Sequence, residues 1–217
     1  MQDDLSPGAR PARLHRRTSA LGPFTFLGVT LAGGLAHAQI KSPGAHLQYD
    51  AELEPQAVLQ WDGPSGFDDE GLGFGFRAAI PLFHNGPIQK INNSMAIGFG
   101  FHWAFFEDDC NNYYANDVLV FGSDCEANDL WFPVVLQWNF YVTPSIAVFG
   151  EPGFAIRHSR VSMDACPDDP LVDCDDSDTD FEPLVLYLGA KFFVSDAIAV
   201  TVRLGYPTIS VGASFFL

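Results

Sequence analysis

The chain is short of positive charge. Eleven Lys and Arg stand against 27 Asp and Glu in 217 residues, a formal net charge of −16. Phosphate backbones are bound by basic surfaces, so nucleic acid is excluded as a partner. Long apolar runs are missing as well. No stretch of 18 apolar residues occurs after residue 38, so no transmembrane helix is expected. Helical periodicity is absent from the same region. Charged residues make up only 18% of the whole, whereas phenylalanine alone appears 20 times.

What is present begins with a targeting pattern. Arg10, Arg13, Arg16 and Arg17 form a basic start, an apolar run follows to about Ala36, and Ala36-His37-Ala38 is a small-x-small cleavage site. Residues 1–38 read as a secretory signal peptide cut before Gln39. The mature chain then holds 25 acids and 7 bases. Its four cysteines are Cys110, Cys125, Cys166 and Cys174. An even number in an exported chain favours disulfides.

The rest is dominated by alternation. In "GLGFGFRAAI" (71–80), Leu72, Phe74, Phe76, Ala78 and Ile80 fall on one face of a strand. Gly71, Gly73, Gly75, Arg77 and Ala79 fall on the other. The same period recurs over about 46–60, 71–82, 94–106, 130–142, 145–158, 183–194, 197–206 and 208–217. In the first of these, Leu47, Tyr49 and Leu53 are assigned to the apolar face. The connections alternate in character. Those at 143–144 and 195–196 are tight, whereas 61–70, 107–129 and 159–182 are long and acidic. With eight strands in sequence, the long connections share one side of the sheet.

The second face decides which side is the inside. It is rich in Gly, Ala and Ser. Its charges are Asp50, Glu52, Glu54, Glu151, Arg77, Arg157, Lys191 and Arg203, four of each sign. A water-facing surface would carry more charge than this. A narrow barrel interior needs small residues and charges that can pair. With the apolar face toward lipid, every backbone group must be satisfied within the sheet, so the sheet must close. The expected fold is all-β: an eight-stranded antiparallel up-and-down transmembrane β-barrel over 39–217. Aromatic residues near strand ends, such as Trp61, Trp103, Trp138 and Phe215, suit interfacial girdles.

The export signal, the eight alternating strands, the one-sided long loops and the terminal "VGASFFL" resemble the small eight-stranded outer-membrane barrels of the OmpA/OmpX type. That resemblance implies a Gram-negative outer membrane, lipid and lipopolysaccharide as surroundings, the barrel-assembly machinery as partner, and a monomer. Barrels of this type usually end in Phe, whereas the last residues here are Phe215-Phe216-Leu217. The periplasmic peptidoglycan-binding activity of some members is not carried over.

Several features could carry chemistry. Segments 61–70, 107–129 and 159–182 hold 20 of the 25 acids of the mature chain. Cys110 with Cys125, and Cys166 with Cys174, would each close within one loop; cross-loop pairings remain open. Within "DCDDSDTDFE" (173–182), Asp173, Asp175, Asp176, Asp178 and Asp180 offer oxygen ligands for Ca²⁺. The EF-hand glycine after the third acid is replaced by Phe181, and a solvated acidic loop is the competing reading. His158 and Ser159 are neighbours on a strand and point to opposite faces, so they form no catalytic pair. His102 reads as a hydrogen-bonded interior residue. No cofactor and no enzymatic activity are expected. The expected role is structural or interactive: envelope integrity, adhesion or cation binding. The two rival readings are a narrow pore for ions or small solutes and a lipid-modifying enzyme.

Overall fold

The computed structural model describes residues 39–64, 70–110, 113–115, 118–120, 123–163 and 175–217; the side chains of 108–125, 163 and 175–176 lie outside the description. The expected signal peptide also lies outside the described residues.

After a short 3-10 turn at Gln39–Lys41, ten strands follow in chain order. They are β1 (Glu52–Gln60), β2 (Gly71–Phe83), β3 (Asn93–Cys110), β4 (Tyr113–Ala115), β5 (Val118–Val120), β6 (Ser123–Thr143), β7 (Ile146–Met163), β8 (Asp175–Ser195), β9 (Ile198–Gly205) and β10 (Thr208–Phe216). β4 and β5 form a separate two-stranded hairpin; the other eight close into one barrel in the order β1-β10-β9-β8-β7-β6-β3-β2. Each barrel strand is antiparallel to its neighbours, with β1 paired to β10 through Glu52↔Phe216 and Gln60↔Thr208. Closure leaves no sheet edge along the paired band, as a bilayer demands.

The faces divide by the parity of the sequence. Phe74 is 49% exposed and Phe99 42%, whereas Arg77 is 5% and Arg203 3% exposed. Leu72, Leu184, Leu188, Val200 and Val211 join the exposed apolar set. Gln60, Gln137, Asn139, Thr201 and Ser214 are buried inside with the charges.

Three departures from the sequence pattern have physical reasons. The first strand starts at Glu52, not at 46. Residues 46–50 leave the wall and cross the tight-turn end of the barrel, where Asp50 N–H donates to the Leu217 carbonyl at 2.7 Å. Tyr49 and Leu47 therefore pack beside Ala199, Phe193 and Phe216 instead of facing lipid. Second, the described residues of the acidic segments 107–129 and 159–182 are strand. The β3–β6 ladder continues to Cys110↔Ser123 and the β7–β8 ladder to Ser162↔Asp175. Acidic side chains do not end a ladder that has already left the membrane for water. Third, β8 outruns β9, whose last pair is Tyr187↔Gly205. The wall is thus tall over β3, β6, β7 and β8 and low over β9, β10 and β1.

Candidate functional site

The interior of the barrel is the candidate site, and it is layered. In the middle layer Lys191, from β8, places Nζ 2.5 Å from Glu52 Oε2 of β1. Arg203, from β9, is held from two sides. Its Nη1 and Nη2 donate to Glu54 at 2.7 and 3.1 Å, and its Nε donates to Glu151 at 2.9 Å. Gln56 accepts a further bond from Nη1 at 2.9 Å. Arg77 lies 4.0 Å from Glu151 and stacks over the Tyr187 ring at 4.8 Å. Gln137 also donates to Glu151, at 3.0 Å.

The upper layer centres on Asp129, which is fully buried. It accepts from Gln60 at 2.6 Å, Trp131 Nε1 at 3.0 Å, Ser159 at 2.9 Å, and Arg157 Nε at 2.9 and 3.0 Å. The Arg157 guanidinium also covers Trp131, which stacks on His102 at 5.7 Å. The lower layer is neutral: Ser94, Asn139, Tyr141, Asn92 and His46 are linked by hydrogen bonds.

Buried charges cost several kcal/mol each unless they are paired and hydrogen-bonded. Glu52, Glu54, Glu151 and Asp129 answer Arg77, Arg157, Lys191 and Arg203, so the stack is neutral as a whole. The void left among Glu52, Glu54, Arg77, Gln137, Glu151 and Arg203 has room for about one water. A side-chain-filled core of this kind is what eight strands enclose.

Polar and paired within, greasy without, the sheet is the reverse of a soluble fold. It is a membrane-spanning barrel.

The structure brings together seven of the eight charges that parity assigns to the lumen. Asp50 is the exception: it is exposed, on the crossing segment below β1. Asp129 is the acid that parity missed. It lies one residue before the expected start of its strand at 130, yet on the same odd-numbered face as Trp131 and Gln137. His158 and Ser159 diverge as strand geometry requires. His158 contacts Thr179 at 2.9 Å, and Ser159 points inward to Asp129. Asp178 and Asp180 sit on β8, opposite Ser159 and Arg157, and not in a loop. Among the described residues no three His, Cys, Asp or Glu side chains converge on a metal position. Asp173, Cys166 and Cys174 lie outside the described residues, and so do the side chains of Asp175, Asp176, Cys110 and Cys125. The backbone register sets Cys125 opposite Asp108 and Cys110 opposite Ser123.

Three of the described titratable groups beyond the membrane-spanning strands are perturbed, and burial pushes the Tyr49 hydroxyl well up. Burial holds His46 below its ordinary value, against smaller support from Asn92 and the His84 carbonyl. Tyr206, in the turn between β9 and β10, is pushed up because its hydroxyl donates to Asp62.

No family profile matches the chain, and no curated protein is similar to it in sequence. Solved structures resemble it in shape. The Yersinia pestis attachment invasion locus protein Ail, in complex with the heparin analogue sucrose octasulfate, has 10% identity and a TM-score of 0.47, over 76% of this chain and 96% of Ail. Neisserial surface protein A has 11% identity and a TM-score of 0.42, over 77% and 97% of the two chains. Acinetobacter baumannii Omp33 has 11% identity and a TM-score of 0.24, over 79% and 99%.

Proposed function

We propose that this protein resides in the outer membrane of a Gram-negative bacterium and works through its surface, not through its lumen. The interior supports this reading best. Arg203 bonds to Glu54 and Glu151 at once, and the remaining void holds about one water. A solute would have to break buried ion pairs to pass. The tall β3–β6–β7–β8 side carries exposed acids, including Asp178 and Asp180, which attract cations and basic surfaces and repel polyanions. The role is envelope integrity or adhesion, with lipid and lipopolysaccharide around the apolar band. Assembly through the barrel-assembly machinery and disulfides Cys110–Cys125 and Cys166–Cys174 belong to the same proposal.

The test has two arms. Protein purified from outer membranes should migrate differently on SDS gels before and after boiling, because a folded barrel resists SDS. Reconstituted in planar bilayers, it should conduct almost no current. Sustained ionic conductance would replace this reading with that of a pore. Lipid hydrolysis that disappears in His158→Ala would replace it with that of an enzyme.

A further inference from the structure

Several buried titratable side chains belong to none of the ion pairs, His46 among them. His46 lies on the segment 39–51, which crosses the tight-turn mouth of the barrel below the charged layers. Before Asp50 and Ala51, which still pair with Leu217 at the end of β10, no strand ladder holds this segment. Its anchors are few: Asn92 N–H donates to the Ile40 carbonyl at 2.8 Å, Asp50 N–H donates to Leu217, and Tyr49 packs edge-on against Phe216 at 4.9 Å. Between these anchors His46 makes the main side-chain contact. Its ring stacks on Tyr141 at 4.1 Å with only 3° between the planes, and Nδ1 lies 2.5 Å from Asn92 Oδ1.

An amide oxygen can only accept, so Nδ1 carries the proton and Nε2 bears a bare lone pair. That Nε2 is buried and has no hydrogen-bond partner. A second proton would therefore place a full charge on a buried, stacked ring, where the support of Asn92 and the His84 carbonyl is smaller than the cost of burial. Nothing packed against the ring supplies a compensating carboxylate. Tyr141, from β6, and Asn92, before β3, are neutral. His84, after β2, is a further imidazole whose charge would oppose that of His46. Glu52, from β1, is already paired with Lys191. Asp196 is exposed to water at an open basin of about 520 Å³, which His46, Leu47, Tyr141 and Phe193 also line.

We propose that residues 39–51 form a plug for the tight-turn mouth of the barrel, released by acid through protonation of His46. The proton comes from solvent to Nε2, and no covalent bond changes. The charged ring leaves Tyr141 for water, and its departure opens the basin toward the lower, neutral layer of the lumen. The direction follows from linkage. The docked ring titrates below its usual 6.5, whereas the released ring titrates near 6.5. Docking is at full strength above pH 6.5 and weakens as pH falls below it. A single histidine can weaken docking by roughly 30-fold at most between pH 7.5 and 5.0.

Hydrogen exchange of the folded barrel in lipid vesicles tests this, with rates corrected for intrinsic pH dependence. Amides of 45–50 should lose protection by up to that factor from pH 7.5 to 5.0, while amides of β6 and β7 stay protected. His46→Phe keeps a stacking ring but cannot titrate, so its segment should remain docked at both pH values. Unchanged protection in the wild type overturns the proposal, as does the same acid-induced loss in His46→Phe. Should His46→Phe fail to dock at pH 7.5, an NMR titration of His46 in the wild type decides. A midpoint clearly below 6.5 supports the plug, and one at or above 6.5 overturns it.

Discussion

Arg203 and Glu151 meet across the lumen at 2.9 Å, although β9 and β7 are not neighbours in the wall. With Glu54 on the opposite flank, one guanidinium ties three strands that no ladder joins to one another. Removing it leaves two buried carboxylates without their main cation. Arg203→Met should cost about 3–5 kcal/mol in urea unfolding from lipid vesicles. Adding Glu54→Gln to Arg203→Met should recover much of that loss, because Glu151 then faces Arg77 and the layer is neutral again.

The upper layer should behave likewise. Asp129→Asn keeps the shape and removes the charge that Arg157, Gln60, Trp131 and Ser159 all address. A loss of about 2–4 kcal/mol is expected, read by the same unfolding assay. Asp50→Asn, on the exposed crossing segment, should change stability by less than about 0.5 kcal/mol.

Backbone approach fixes some glycines. At Gly189 a Cβ would stand 2.2 Å from the Phe149 ring and 2.5 Å from the Val202 carbonyl oxygen. The carbonyl cannot yield without breaking the ladder. Gly189→Ala should lower stability by about 1–3 kcal/mol. At Gly150 the nearest atom is Leu188 Cδ2 at 3.7 Å, so Gly150→Ala should be tolerated. The contrast between the two is the measurement.

The outer face should discriminate by depth. Phe99→Arg, toward the middle of the apolar band, should cost about 2–4 kcal/mol in vesicles, and Leu72→Arg at the end of β2 about 0–1. Equal costs would contradict a lipid-facing wall.

Tyr206 offers a spectroscopic check. Its hydroxyl donates to Asp62, so the neutral phenol is favoured in the fold and the pKa lies above 10.0. The contact is intact below pH 10 and is lost as pH rises through the folded pKa. Among the late-titrating tyrosines seen by absorbance near 295 nm, Asp62→Asn should move one to lower pH.

Much of this architecture is legible in the residues because a strand has period two. Parity alone put Glu52, Glu54, Arg77, Glu151, Lys191 and Arg203 inside and Phe74, Phe99 and Val200 outside. It failed where the chain stopped being a wall. Asp50 and Tyr49 keep the alternation, but their segment turns across the barrel mouth to meet Phe216 and Leu217, a long-range contact that no local pattern announces. Asp129 failed for the opposite reason. It was counted with a loop because its neighbours are acidic, although its ladder simply runs on. Strand length past the bilayer is set by pairing with the next strand, and composition does not record it.

The β7–β8 ladder slips once, between Gly153↔Val185 and Ala155↔Glu182. Above that step odd and even positions of β8 exchange sides. Phe181 turns out to meet Phe154 at 5.7 Å, and Glu182, Asp180 and Asp178 stand over the opening of the barrel, in register with Ala155, Arg157 and Ser159. An unbroken ladder would aim these three carboxylates sideways, along the same flank as Leu184 and Leu186. A one-residue offset therefore works as a sorting device, steering negative charge away from the hydrocarbon without changing a single side chain.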